Sequence, residues 1–308
     1  MYSLGVDIGG TSTSFGIVSP TGEICCQANI PTRGHAHATA FLQQLQKEWL
    51  TSFPENLRQS VTRIGIGAPN GNYYTGCIEF APNLEWKGII PLAATAEEIF
   101  QIPTKITNDA NAAAMGEMKY GAAQGMKNFI MVTLGTGVGS GFVANGEVIY
   151  GHDGFAGELG HVIAVRDGRS CGCGRKGCLE AYTSATGIVR TAQEFLAQSD
   201  QPSLLRNSST LSSRSIFEAA QQQDQLALDI FHFTGTILGQ SLADAVAITS
   251  PEAIILFGGL AQAGKFIFEP THKSMEENLL SIFKNKVKLL PSALKEKDAA
   301  VLGAAALE

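Results

Sequence analysis

Apolar strands and Gly/Thr-rich turns recur in the same order twice along this 308-residue chain. "VDIGGTSTSFGIVSPTGEI" begins at Val6 and "VTLGTGVGSGFVANGEV" at Val132, 126 residues apart (132 − 6). Each reads as an apolar strand, a tight turn, a second strand, and a "TGE" or "NGE" turn into a third. Either turn alone is an ordinary hairpin; their shared order predicts two similar domains. Elsewhere strand patterns alternate with helical ones. "ATAFLQQLQKEWL" is helical in period, "VTRIGIGAP" is a strand entering a loop, and "TKITNDANAAAMGEMKYG" is a strand turning directly into an Ala-rich helix. "QLALDIFHFTGTILGQSLADAVAIT" predicts a long buried helix, and "EAIILFGGLAQAG" a strand, a Gly-Gly turn and a new helix. This alternation predicts an α/β fold. The Ser- and Gln-rich stretch from Gln198 to Ser215 reads as a mobile surface connection.

Composition adds bounds. With 44% hydrophobic and 16% charged residues the chain can build substantial cores, and its length suits two domains. A net charge of −6, with no run of Lys and Arg, argues against a nucleic-acid partner. The start, "MYSLGVDIGG", lacks a basic region followed by an apolar one, and no apolar stretch is long enough to span a bilayer. No membrane partner and a cytoplasmic location are expected, a compartment that suits reduced thiols. Cys25, Cys26 and Cys77 read as small apolar residues.

The other cysteines are different. "CGCGRKGC", residues 171–178, has the spacing C-x-C-x4-C, too tight for a disulfide framework and with one thiol left over. Tetrahedral zinc takes Cys3His readily. His161, ten residues before Cys171, is the only histidine between His152 and His232 and is the first candidate for a fourth ligand. Gly172, Gly174 and Gly177 allow the tight turns of a metal knuckle. The alternative is three reduced thiols in a Gly-rich loop.

The two hairpin turns, "DIGGTST" and "GTGVGSG", suit phosphate oxygens, because glycines let backbone N–H groups approach an anion and threonines add donors. Neither is a Walker A loop, since no lysine follows the glycines. Asp7 at the head of the first turn suits orientation of Mg2+ and its waters, or capping of its own turn. Phe257 to Leu260, "FGGL", is placed either against a nucleotide base or ribose, or where a helix packs closely on its strand. Asp109 ends a strand and opens the Ala-rich helix. Alone it would read as an N-cap; with phosphate turns on either side it reads as a general base, kept ionised by the helix N-terminus.

Asp7-Ile8-Gly9-Gly10-Thr11, Asn108-Asp109, Leu134-Gly135-Thr136-Gly137, Glu158-x-x-His161 and Cys171-x-Cys173-Gly174-x-x-Gly177-Cys178-x-Glu180 resemble, in order and spacing, the ROK family of bacterial sugar kinases. The resemblance implies a duplicated actin-like, hexokinase-like (ribonuclease H-like) two-domain fold with ATP and sugar in a central cleft. It implies a first α/β domain over 1–110, completed by a last helix over 297–308 that contains "DAAVLGAAAL", and a second over 111–296 carrying the zinc loop. With that fold, Asp7, Gly9, Gly10, Thr11, Gly135, Thr136, Gly137, Gly258 and Gly259 are the expected contacts to ATP and its phosphates, with Mg2+. The resemblance assigns Asn83, Asn108, Asp109, Glu158, His161 and Glu180 to the sugar, and His161, Cys171, Cys173 and Cys178 to Zn2+. His161 would then bind zinc through one ring nitrogen and a sugar hydroxyl through the other.

The run "GAPNGNYYTGCIEFAPNLEWKG" resembles the glucokinase branch, so the 6-hydroxyl of glucose is the expected acceptor. N-acetylglucosamine, N-acetylmannosamine, mannose and fructose are the alternatives. The family implies a homodimer or homotetramer. Two departures stand out: Ser140 where relatives often have glycine, and Asn70, near the presumed sugar loop, where many glucokinases have glycine. Other classes fit less well. A sugar-sensing ROK regulator needs a helix-turn-helix ahead of the first hairpin, and only six residues precede Asp7. A zinc deaminase pairs H-x-E with P-C-x-x-C, absent around the cysteines. A non-catalytic actin-like ATPase would lack the cysteine clamp and the sugar carboxylates.

Overall fold

The first hairpin folds as strands β1 (Tyr2–Ile8), β2 (Ser12–Val18) and β3 (Ile24–Pro31). There follow α1 (Ala38–Ser52), α2 (Glu55–Arg58), β4 (Val61–Ala68), the short strands β5 (Ile78–Glu79) and β6 (Ile89–Ile90), α3 (Leu92–Phe100), β7 (Thr104–Asn108) and α4 (Asp109–Tyr120). The second hairpin gives β8 (Phe129–Leu134), β9 (Val138–Ala144) and β10 (Glu147–Val148). After it come α5 (Glu180–Thr183), α6 (Ala185–Gln198), α7 (Ser213–Gln221), α8 (Gln225–Thr249), β11 (Ala253–Phe257), α9 (Lys265–Asn278), β12 (Lys288–Pro291) and α10 (Glu296–Ala305). The structure is a computed structural model and describes residues 1–207 and 210–307. Ser208 and Ser209, within the expected surface connection, and Glu308, at the end of the expected last helix, lie outside the described residues.

Contacts divide the chain into unit one, Met1–Lys127, Gly141–Gly157 and Ser292–Glu308, and unit two, Asn128–Ser140 and Glu158–Pro291. In unit one the sheet order is β3-β2-β1-β4-β7, with β1 antiparallel to β2 and parallel to β4, and β4 parallel to β7. The other five-stranded sheet repeats that order as β10-β9-β8-β11-β12, with β11 parallel to both β8 and β12. The chain passes from unit two to unit one within β9. The duplication legible in the two hairpins is thus a duplication of whole sheets, and the α/β class holds.

In unit one, α1 turns Ala38, Phe41, Leu42, Leu45 and Trp49 inward at helical spacing, onto a core with Phe15, Ile17 and Leu92. Side chains of this size contribute about 1.5–3 kcal/mol each when fully buried. On the other side, α10 packs against β1, β4 and α4. A Cβ on Gly5 would lie 2.1 Å from the Val301 carbonyl oxygen, and one on Gly65 only 1.9 Å from that of Ala304. Glycine at both positions lets the helix backbone lie directly on the strands.

In unit two, α8 is the long buried helix expected, with Leu226, Ile230, Phe231, Leu238, Leu242 and Val246 inside. The stretch from Gln198 to Ser215 carries more structure than a surface connection needs. Leu204–Asn207 form a short 3-10 turn with Leu205 buried, and Ser203 Oγ and Leu204 N–H both donate to Asp224. A Ser212/Ser215 capping box opens α7. Cys77 is buried and Cys26 half-buried against the core, whereas Cys25 is exposed, so the apolar reading fails for Cys25. Among the described residues no helix is long and apolar enough to cross a membrane.

Candidate active site

In unit one, Asp7 is the last but one residue of β1, opposite Gly67 of β4, and Asn108 ends β7 opposite Ala68. Gly67 puts no side chain between the two strand ends: a Cβ there would sit 3.8 Å from both Asp7 Oδ1 and Asp109 Cα. The two carboxyls therefore feel one another. Burial first, and the Asp109 charge second, push Asp7 up to about 7. Burial also raises Asp109, against the opposing pull of the Ala110 N–H. Its side chain is nonetheless reached by solvent, which tempers the rise.

Asn108 is the N-cap of α4, its backbone extended and its Oδ1 accepting the Ala110 N–H at 2.8 Å. Asp109 is already helical and shares that N–H at 2.8 Å. The capping role weighed for Asp109 thus belongs to its neighbour.

The first glycine turn is braced from two sides. Gly9 N–H donates to Ser12 O at 3.0 Å and Thr32 N–H to Thr11 O at 2.9 Å, while Arg33 Nε donates to Gly10 O at 3.1 Å. A Cβ on Gly10 would lie 2.8 Å from the Asn83 carbonyl oxygen, so glycine is what lets the exposed Asn83 loop lie on the turn. Asn70 takes φ +51°, a left-handed position that favours Gly or Asn, and its Nδ2 donates to Glu79 O at 2.9 Å. Asparagine can thus stand where relatives have glycine: the turn is closed by Gly71 N–H to Ala68 O at 3.0 Å, and the Asn70 amide ties it to β5.

In unit two, the turn of Gly135, Thr136 and Gly137 is closed by Gly135 N–H to Gly137 O at 3.0 Å. Val138 N–H donates to Glu180 Oε2 at 2.9 Å, and Thr186 Oγ1 to Thr136 O at 3.0 Å. Gly258 and Gly259 divide the two roles read for "FGGL". Gly258 has φ +98°, and a Cβ on it would lie 2.7 Å from Leu134 O, which is close backbone packing. Gly259 has open space around it and lines a cavity of about 520 Å3 with Arg214, Phe217, Glu218 and Gln262. Glu158 is exposed and His161 half-buried on a 3-10 turn, with His161 N–H donating to Glu158 O at 3.0 Å. Ser140 Oγ accepts the Leu159 N–H at 3.1 Å, so the serine departure braces this turn.

His161, Cys171, Cys173 and Cys178 converge, their ligand atoms all within 4.8 Å of one another. Cys171 Sγ is 3.7 Å from His161 Nδ1, and Cys173 Sγ 3.6 Å from Cys178 Sγ. Four ligands at ~2.3 Å from a tetrahedral zinc stand about 3.8 Å apart, so the donor set and spacing fit Zn2+. Gly174 at φ +86° and Gly177 at φ +81° make the knuckle turns; Gly172 is not left-handed. Burial pushes Cys171 up to about 12 and raises Cys178, while the Arg175 backbone N–H lowers Cys173. Three thiols this close ionise together only with a cation among them. Glu180 Oε1 accepts from Cys171 Sγ at 3.6 Å, so this glutamate touches both the cysteine loop and the second glycine turn.

The structure thus gathers Asp7, Gly9–Thr11, Asn83, Asn108 and Asp109 in unit one, and Gly135–Gly137, Glu158, His161, Glu180, Gly258, Gly259 and the cysteines in unit two. Sequence reasoning missed Arg33, Arg214, Glu218 and Gln262, which carry no local motif and reach their places only through tertiary folding.

The chain matches the ROK family pattern over residues 3–308. It is 36% identical over 283 residues to a glucokinase of Halalkalibacterium halodurans, covering 89% of this chain and 85% of that protein. It is 31% identical over 270 residues to an N-acetylmannosamine kinase of Escherichia coli, covering 87% and 86%. The fold superposes on the crystal structure of a ROK family glucokinase from Streptomyces griseus, solved with glucose and AMPPNP, with TM-score 0.80, 31% identity, and 99% and 98% of the two chains covered.

Proposed function

The chain belongs to the ROK family, and from that premise we propose that it is an ATP-dependent sugar kinase transferring the γ-phosphoryl group to the 6-hydroxyl of glucose. The observation that carries the reading is Asp109: a solvent-reached carboxyl on the first residue of α4, with Asn108 serving as the cap, a raised pKa and a second carboxyl beside it. Phosphoryl transfer is mainly positioning and electrostatics, with one group needed to take the acceptor's proton. Asp109 takes that proton, and a raised pKa makes it the better acceptor.

The backbone N–H groups and hydroxyls of Gly9, Gly10, Thr11, Gly135, Thr136 and Gly137 receive phosphate oxygens. Gly259 borders the cavity that takes the base, where Arg214, Glu218 and Gln262 offer polar partners, and Gly258 sets the turn before it by packing on Leu134. Mg2+, when bound with the nucleotide, would be held by Asp7 and would offset phosphate charge and the repulsion between the two aspartates. Asn83, Asn108, Glu158, His161 and Glu180 supply the amides, carboxylates and imidazole that read sugar hydroxyls. Zn2+ would be held by His161, Cys171, Cys173 and Cys178, filling all four positions and leaving none for a catalytic water. With Nδ1 nearest Cys171, His161 keeps Nε2 for a sugar hydroxyl. The reading includes a cytoplasmic place in glycolytic carbohydrate metabolism, no nucleic-acid or membrane partner, and a homodimer or homotetramer.

The similarity to glucokinases at 36% against N-acetylmannosamine kinases at 31% favours glucose as acceptor. ATP consumption measured across glucose, mannose, fructose, N-acetylglucosamine and N-acetylmannosamine tests this. Glucose should give the highest kcat/KM. ATP turnover indifferent to every hexose would reject the kinase reading, and a preference for an acetamido sugar would reject the glucose assignment alone.

A further inference from the structure

Arg169 stands two residues ahead of Cys171, yet it is only 8% exposed. All its partners lie within unit two. Its backbone carbonyl accepts the Gly177 N–H at 2.8 Å, and its own N–H donates to the Tyr182 hydroxyl at 2.8 Å. Nε and Nη2 fork onto the Glu194 carboxylate of α6 at 3.0, 3.2 and 2.5 Å. Nη1 donates to the carbonyls of Ala181 at 3.0 Å and Gly187 at 3.3 Å and to Thr191 Oγ1 at 3.0 Å. The guanidinium lies 4.5 Å over the Tyr182 ring.

This one residue therefore grips the chain at Gly177 with its main chain and at Ala181 with its side chain. Between those points lie Cys178 and Glu180. Glu180 in turn accepts the Val138 N–H, and a Cβ on Gly137 would come within 2.3 Å of Glu180 Oε2. We infer that Arg169 is a positioning residue that holds Glu180 in register with the cysteine loop on one side and with the second glycine turn on the other. The planar fork is essential to this: lysine would keep the charge but could not bind the Glu194 carboxylate in two places and two helix carbonyls at once. The kinetic consequence rests on the sugar-kinase reading; the grip on residues 177–181 does not.

The test compares full-length wild type, Arg169→Lys and Arg169→Met by hydrogen exchange, metal content and steady-state kinetics. In both variants amides from Leu179 to Thr183 should exchange faster. Zinc should stay at wild-type content, since no ligand is altered. The glucose KM should rise roughly tenfold or more, well beyond any change in the ATP KM. A merely structural arginine would lower the melting temperature and leave the glucose KM of the folded protein where it was. If Arg169→Met does not fold, Arg169→Lys decides the matter. In the lysine variant, either wild-type exchange at 179–183 or a wild-type glucose KM overturns the inference, the first by removing the grip and the second by leaving Arg169 merely structural. If wild type shows no hexose-dependent ATP turnover, the kinase reading falls, and the exchange data alone decide whether Arg169 grips the segment.

Discussion

Replacing Asp109 by asparagine separates proton acceptance from everything else this side chain does. Asparagine has the same shape, its Oδ1 can still accept the Ala110 N–H now held at 2.8 Å, and Asn108 remains the cap of α4. Fold stability should therefore not fall; because the folded Asp109 carboxyl has a raised pKa and its charge also raises Asp7, the variant should be somewhat more stable at neutral pH and equal to wild type near pH 4. What is lost is the base. General-base catalysis contributes ~10²–10⁴ in rate, or about 2.7–5.4 kcal/mol at about 1.36 kcal/mol per tenfold. Turnover at saturating ATP and glucose should fall by that factor, while calorimetric affinities for both substrates stay near wild type.

The pH profile adds a second arm. Because burial raises the Asp109 pKa, the wild-type rate should climb with pH through a midpoint above the usual carboxylate range, as the active, ionised form accumulates. That limb should vanish in Asp109→Asn. The variant also removes the second cause of the raised Asp7 pKa, so Asp7 should titrate below its present value of about 7. A variant with near-native turnover and an unchanged pH profile would refute the reasoning and place the base elsewhere.

Asp7→Asn should stabilise the fold selectively. With its pKa raised from 3.8 to about 7, folded Asp7 holds a proton that the unfolded chain releases, so stability falls as pH rises across that interval. The variant should be more stable by about 2–4 kcal/mol at pH 8 and equal near pH 4, as measured by denaturant melts. An equal effect at both pH values would count against the cause. Cys173→Ser should lose zinc and raise the glucose KM by ~10–100-fold with a much smaller shift for ATP; zinc loss with an unaltered glucose KM in the folded fraction would detach the metal from the sugar site. Gly258→Ala, strained at φ +98° against Leu134 O, should lose roughly 1–3 kcal/mol and raise the ATP KM, whereas Gly259→Ala, with open space around it, should stay near wild type in stability. Equal losses in the two would show that crowding is not what Gly258 relieves.

The parts of this protein legible from sequence were those written in local chemistry. The hairpins at Val6 and Val132 announced a duplicated fold because each needs its own glycine turn, and the metal cluster was readable because its cysteines are close in sequence. Features made by distant segments were not. The family resemblance implied a last helix on the first domain, but nothing near Gly5 or Gly65 signals that α10, more than two hundred residues later, lies directly on them. Asn108 and Asp109 are both good capping residues, and only the backbone angles separate cap from first helical residue. Asn70 stood out only as a departure from glycine near the presumed sugar loop; its left-handed backbone and the bond from its amide to Glu79 O appear only in the fold. Arg169 carries no motif of its own; its burial depends on α6, which supplies Glu194 and Thr191.

The central claim is transfer of the γ-phosphoryl group of ATP to the 6-hydroxyl of glucose. Phosphorus NMR of the purified protein with ATP, Mg2+ and glucose measures it directly. The account predicts that the γ-phosphate signal is replaced one for one by a single phosphomonoester coupled to the C6 protons of the sugar, with inorganic phosphate accumulating far more slowly. Release of inorganic phosphate at the same rate with and without glucose, or an ester at another carbon, would contradict it.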